Sequence, residues 1–341
     1  MARRDIAYTM IKSAVDKGIR DIRENPGRGI RSLVDLGSLF ADGRFQKLFF
    51  SAAAQELRND QSIYYRMVER VVCGTRPDHL SVFSMNLGYN SWTLGARTIR
   101  RIEDKKGFNI PWCIQLCPEQ GVDAGWMPKV IAQGKALGIY TYLFYLEEAF
   151  ADLGPVCTLA EEEPDCAFIL FLHPSRIIAD FDRLAALPNA WIFIDMDPAN
   201  PEAVQAAAAR LLEEQCLIGG FIKALNDDEI SILSAMEWCH TLGLTFFTFI
   251  NTKRDPHSLI SGEARCVPPL RAQPQYPVFP IDLFTDLAQI DCNISTEACL
   301  TVVMGDGTVL TQDPDQSSNA YNITTNSLAD IFAKTDRKSV V

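Results

Sequence analysis

Hydrophobic positions along this chain follow two different periods. In the first 75 residues Ile6, Met10, Ile11, Ala14 and Val15 recur at helical spacing, as do Ser51 to Leu57 and Tyr64 to Val72, with Asn25-Pro26-Gly27 as a turn between them. From Trp112 the rhythm changes to short, β-rich apolar runs that start near Trp112, Ile139, Cys166, Ala190, Ile218 and Leu244, at intervals of 27, 27, 24, 28 and 26 residues. Helix-patterned segments lie between them, such as Met127 to Leu137 and the alanine-rich Pro201 to Leu212, with its proline at the start.

Six strand–helix units at near-equal spacing predict parallel strands joined by right-handed crossovers, and six units of this kind suggest a partial barrel. The expected fold is α/β, a partial (β/α)6 TIM-like barrel over residues 109–255 behind an α-helical extension over residues 1–108. Loops at the carboxyl ends of the strands then form the site. Residues 256–341 break the rhythm: a proline-rich stretch, Gly262 to Pro280, reads as a long surface loop. A small unit from Cys292 to Asp330 follows, with a hairpin over Leu300 to Leu310 turning at Gly305-Asp306-Gly307 and a short helix at Ser327 to Ala333.

The chain has 341 residues, 48% of them hydrophobic, enough to bury a full core. A formal charge of -11, spread along the chain, argues against a nucleic-acid partner. No segment reads as a signal peptide or a membrane span, so a cytoplasmic protein with no membrane partner is expected. Ten cysteines sit mostly in apolar segments, where buried free thiols are commoner than disulfides in a reducing compartment.

Three stretches resemble a group of radical S-adenosylmethionine (radical SAM) proteins with a helical extension, a six-unit partial barrel and a SPASM-like C-terminal tail. The first is Asn86-Leu87-Gly88-Tyr89-Asn90-Ser91 followed by Gly107-Phe108-Asn109-Ile110-Pro111-Trp112. The second is Gln133 to Tyr140 with Pro164-Asp165-Cys166-Ala167-Phe168, and the third is Gly305-Asp306-Gly307-Thr308-Val309 with Tyr321-Asn322-Ile323 and Ser327 to Phe332. Together they span most of residues 1 to 335 and identify a scaffold without a chemical signature.

The resemblance implies a [4Fe-4S] cluster held by a C-x3-C-x2-C loop after the first strand, with S-adenosylmethionine on the open iron. Here the corresponding loop, Pro118 to Trp126, is short and contains no cysteine. Cys113 and Cys117 have the C-x3-C spacing, with Gln120 in the third place, but they fall inside the predicted first strand about 13 Å apart. They read as small buried hydrophobes. The family's glycine-rich turn for S-adenosylmethionine corresponds to Leu146-Glu147-Glu148-Ala149-Phe150, where only Glu148 matches. In the tail Cys292 matches one auxiliary-cluster ligand, and Gln312 stands where the family has another cysteine.

At the remaining strand ends, His173, Asp195, Asp197, Lys223, Asn251 and Lys253 converge on one mouth if the barrel forms. Two readings follow. One is a pseudoenzyme, a non-catalytic partner or recognition subunit for a precursor peptide or a paralogous active radical SAM enzyme, with no cofactor. The other is a barrel enzyme of different chemistry using Glu148, His173, Asp195, Asp197 and Lys223. A residual [4Fe-4S] site built on Cys117 and distant cysteines is a third.

Overall fold

The computed structural model describes residues 6–41, 43–146, 152–224, 229–251, 267–295, 297–311 and 321–335. Its first third is helical: α1 (Ile6–Glu24), α2 (Pro26–Phe40), α3 (Arg44–Glu56), α4 (Ile63–Gly74) and α5 (Pro77–Ser84) lead into a π-helix, Met85–Gly95, and then α6 (Ala96–Lys106). The Asn25-Pro26 turn is a helix start, since the Asn25 side chain accepts a hydrogen bond from the Arg28 amide and proline occupies the first helical position. Ile19, Ile22, Ile30, Leu57, Val72 and Leu80 form a core belonging to these helices.

The alternating segment runs β1 (Cys113–Cys117), α7 (Trp126–Leu137), β2 (Thr141–Tyr145), α8 (Gly154–Glu162), β3 (Ala167–Leu172), α9 (Pro174–Ala179), α10 (Phe181–Ala185), β4 (Ala190–Asp195), α11 (Pro201–Glu213), β5 (Ile218–Ala224), α12 (Glu229–Thr241) and β6 (Phe246–Asn251). Each strand starts within two residues of its expected position. The apolar runs carry that information because a parallel strand with one face toward helices and the other toward a barrel interior is buried on both.

The chain continues as α13 (Val267–Ala272), β7 (Phe279–Asp282), α14 (Leu283–Ile294), β8 (Thr301–Met304), β9 (Val309–Leu310) and α15 (Leu328–Thr335). The nine strands form one sheet in the order β7-β6-β5-β4-β3-β2-β1-β8-β9, with every neighbouring pair parallel except β8 and β9. Six consecutive strands thus form the expected partial barrel, and the sheet extends past it at both edges.

One expectation changes here. The described part of the Gly262 to Pro280 stretch is helix α13, an irregular connection over 273–278 and the start of strand β7, with Val278 fully buried. Prolines suggested a loop, yet β7 is an edge strand, where Pro280 pairs opposite Phe247 without needing an amide on its outer side. The expected hairpin does turn at Gly305-Asp306-Gly307, with Gly307 at φ +81°, and its first strand joins the barrel sheet beside β1.

Two buried carboxylates fix the entry to β1. Glu103 of α6 accepts from the Ile110 amide at 2.9 Å, and Asp291 of α14 accepts from the Trp112 amide at 2.9 Å and the Cys299 amide at 3.3 Å. At the amino ends of the strands, the π-helix contributes Asn86 and Asn90, whose amides donate to the carbonyls of Pro164, Cys166 and Asp165.

Candidate functional site at the barrel mouth

The register of the parallel strands decides which side chains face the barrel interior. Tyr142 points outward, its hydroxyl donating to carbonyls of Ile131 and Ile139, so the residues of alternate parity face inward. Across β1 to β5 that inner face carries Gln115, Cys117, Leu143, Tyr145, Ile169, Phe171, Trp191, Phe193, Asp195, Phe221 and Lys223.

Much of this face is a continuous aromatic stack. Phe171 lies 5.1 Å from Phe193 and 5.2 Å from Phe221, and Trp191 lies 4.8 Å from Phe193 and 4.6 Å from Phe246. Gly219 makes room for it: a Cβ there would come within 2.5 Å of the Phe193 ring. Phe83 of α5 reaches Trp191 at 5.7 Å, so the helical extension meets the stack from below. Hence the barrel interior is packed with rings, as barrel interiors of this size generally are filled by side chains.

Above the stack the structure brings together Tyr145, Asp195 and Lys223. The Lys223 ammonium is 3.5 Å from an Asp195 carboxylate oxygen and 5.0 Å from the centre of the Tyr145 ring, and it is hydrogen-bonded to the Tyr145 hydroxyl. These residues lie on neighbouring strands, β4 and β5, and on β2. Burial raises the Asp195 carboxyl above the usual range, and Lys223 and His173 only partly offset this. Burial alone would lower Lys223, but Tyr145 and Asp195 reverse it and hold the ammonium charged.

The other strand-end residues are occupied locally. His173 is the N-cap of α9, its Nδ1 accepting from the Ser175 amide and lying 2.8 Å from the Ser175 hydroxyl. Asp197 accepts from the Ala199 amide at 2.9 Å and the Asn200 side chain at 2.6 Å, bonds that pull its carboxyl below the usual range. Glu147, Glu148, Phe150, Lys253, Cys266 and Gln312 lie outside the described residues, and the Asn251 side chain does too.

Cys113 and Cys117 are the two ends of β1, as the spacing indicated. Cys113 is 3% exposed, and burial together with Asp291 pushes its thiol well up. Cys117 accepts from the Gln115 side chain at 3.3 Å. The segment from Pro118 to Gly125 carries no thiol and is braced against the hairpin. Trp126 donates to the Gly305 carbonyl at 2.8 Å, and the Glu119 side chain lies over Gly305, where a Cβ would meet it at 2.5 Å. Cys292 sits on α14 and is exposed.

Among the described residues the one cluster of three metal-type ligands is Glu163, Asp165 and Cys166, at the opposite end of the barrel. Lys135 already bonds both carboxylates there at 2.7 Å. Sequence reasoning did not find this cluster; the paired acids beside Cys166 were its only signal. The partnership of Tyr145 with Lys223 leaves no mark in the sequence, because it depends on strand register.

No protein-family model matches the chain, and none of the curated proteins is significantly similar to it. Solved structures of Streptococcus suis SuiB are similar in fold. SuiB bound to precursor peptide SuiA aligns with a TM-score of 0.50 and 12% identity, over 70% of this chain and 69% of that one. SuiB bound to S-adenosylmethionine gives 0.49 and 11%, over 70% and 67%. Among the described residues no helix is long and apolar enough to cross a membrane. At such identity the likeness speaks to architecture alone, and the chain shares the α/β partial-barrel fold of SuiB.

Proposed function

We propose that this chain is a non-catalytic recognition subunit, a pseudoenzyme barrel that binds a precursor peptide or a paralogous active radical SAM enzyme. The observation that carries this reading is the segment after β1. Where the resemblance calls for a three-cysteine cluster loop, Pro118 to Gly125 offers no thiolate and is seated on the hairpin through Trp126 and Glu119. Cys113 does not supply the lack, because its burial favours the thiol over the ligating thiolate. The residues therefore do not fit a [4Fe-4S] cluster, and without that cluster the open iron for S-adenosylmethionine is missing too. A SPASM-like role for the tail is likewise a matter of its hairpin and closing helix, with Cys292 exposed and Cys299 buried. The peptide alternative draws on SuiB, whose structure holds precursor peptide SuiA.

The test is anaerobic purification and reconstitution with iron and sulfide, followed by iron and sulfide quantification and visible absorbance. We expect no stoichiometric cluster; a stoichiometric [4Fe-4S] signal overturns the reading. An active radical enzyme or short precursor peptide encoded beside this chain is the partner to test by co-elution.

The convergence of Tyr145, Asp195 and Lys223 favours a second reading, a barrel enzyme of other chemistry at the mouth. Here Lys223 would be the charged group that orients an anionic substrate, and Asp195 the proton-exchanging one. Saturable binding of a small carboxylate, lost in Lys223→Met and retained in Asp197→Asn, would establish it.

A further inference from the structure

Charges of both signs run through the whole chain, but their balance divides at the barrel. Residues 1–108 hold 19 of the 32 basic residues and only 12 of the 43 acidic ones, a formal charge of +7 against -18 for the remainder. The same helices carry most of the exposed hydrocarbon. Of the eight large hydrophobic side chains exposed among the described residues, Ile6 and Met10 are on α1, Leu39 and Phe40 on α2, Leu48 and Phe49 on α3 and Leu94 on the π-helix, and the rest of the chain contributes Val122 alone.

The fold gathers both kinds of side chain at one end of the helical extension. Helices α1 and α2 form a hairpin that turns at Asn25, so the start of α1 and the end of α2 come together, and α3 sets out from that same end after Gly43. Ile11, Phe40, Phe45 and Phe49 accordingly line one groove there. Ile6, Met10, Leu39 and Leu48 stand exposed at this end, Leu39 at 82%. Arg44 and Lys47, both exposed, lie one turn and one residue before Leu48, on the same face of α3. The Arg100 guanidinium of α6 joins them, 3.8 Å from where a Cβ on Gly43 would lie. Lys12, Lys17 and Arg31 are neutralised by Asp16, Asp21 and Asp60, whereas Arg44, Lys47 and Arg100 form no ion pair among the described residues.

We propose that this end of the helical extension docks on the surface of an anionic phospholipid bilayer. Its partner has to accept cations and hydrocarbon side by side, and a bilayer of acidic lipids offers headgroup phosphates with acyl chains beneath them. A nucleic-acid backbone answers the cations but gives Leu39 and Leu48 nothing to enter. The acidic barrel of a second copy answers the charge, but its described residues expose only Val122 as an apolar counterpart. Opposite charge on the two parts of the chain orients it before contact, with the basic helices toward the anionic surface and the acidic barrel away from it. The expectation of no membrane partner rests on the lack of a spanning segment, which a surface contact does not require. The docking face is independent of the function proposed for the barrel.

The experiment is co-sedimentation of the full chain with vesicles of equimolar phosphatidylcholine and phosphatidylglycerol, and with vesicles of phosphatidylcholine alone. Binding to the first, weakened by salt, and none to the second are expected. Each cation near an acidic bilayer is worth about five-fold in affinity, so Arg44→Gln with Lys47→Gln should weaken binding about 20- to 30-fold. Leu39→Ser with Leu48→Ser should weaken it at least about ten-fold. Lys334→Gln, which removes an exposed cation of α15, should leave it unchanged. All five positions are exposed, and circular dichroism checks that each variant folds. Absence of binding to the acidic vesicles, equal binding to both kinds, or unchanged affinity in either double variant overturns the proposal. So does a dimer that Leu39→Ser with Leu48→Ser dissociates, which would place a second copy on this face. Tighter binding to polyglutamate than to the vesicles also overturns it, since the partner would then be an acidic polypeptide.

Discussion

Replacing Asp291 should unfasten the strand on which the barrel is founded. Its carboxylate is fully buried, with one oxygen accepting from the Trp112 amide at 2.9 Å and the other from the Cys299 amide at 3.3 Å. It thereby ties α14 to the entry of β1 and to the segment leading into β8, two strands that pair with each other. Asp291→Ala leaves both amides buried without an acceptor. At about 1–3 kcal/mol for each unsatisfied group, the loss is roughly 2–6 kcal/mol. Native stability is typically about 5–15 kcal/mol, so the variant should unfold at markedly lower urea. Asp291→Asn keeps one acceptor oxygen and turns an NH2 toward the other amide, so its loss should be about half as large. Urea denaturation followed by far-ultraviolet circular dichroism and tryptophan fluorescence measures both, with Trp112 as a local reporter. If Asp291→Ala lies within about 0.5 kcal/mol of the parent, or if Asn is no better than Ala, the carboxylate does not anchor the strand as argued.

Asp195 should give stability an acid-side slope. Burial raises its folded carboxyl, so the protonated form is favoured on folding; its contribution is full below the ordinary aspartate range and falls as pH rises through the folded value. Denaturation across that window should flatten in Asp195→Asn, whereas Asp197, held low by its Asx turn, should act with opposite sign and lose its contribution as pH falls. Lys135→Met breaks two 2.7 Å ion pairs, to Glu163 and Asp165, on a side chain only 28% exposed, and should cost about 1–3 kcal/mol by urea denaturation. In a Cys266→Ser background, native thiol titration should find Cys73 and Cys292 reacting fast. Cys157 and Cys216, each raised by burial to about 11, and the fully buried Cys239 should react only on unfolding. Gly88→Ala should stabilise by about 0.5–1 kcal/mol, because a methyl group there meets open space while the unfolded chain loses freedom.

The strands and helices of the barrel were legible in the sequence because burial on two faces leaves each parallel strand as a short apolar run, and the crossover helices set its repeat. The starts of β4 at Ala190 and of β5 at Ile218 are placed on that basis alone. That Pro118 to Gly125 holds no cysteine was equally legible, since that is a property of residue type. Edge strand β7 was not, because Pro274, Pro277 and Pro280 mask a run that is a strand only through its partner Phe246 to Phe249. At the mouth, sequence placed Asp195 and Lys223 at strand ends, and it could not say that register would set Tyr145 beside them or that Phe171, Phe193 and Phe221 would fill the space beneath. Nor could it show Asp291 reaching the amides of Trp112 and Cys299. Periodicity is local and is written residue by residue; pairing, register and the partners of a buried polar atom join segments far apart in the chain, and only the folded structure brings those together.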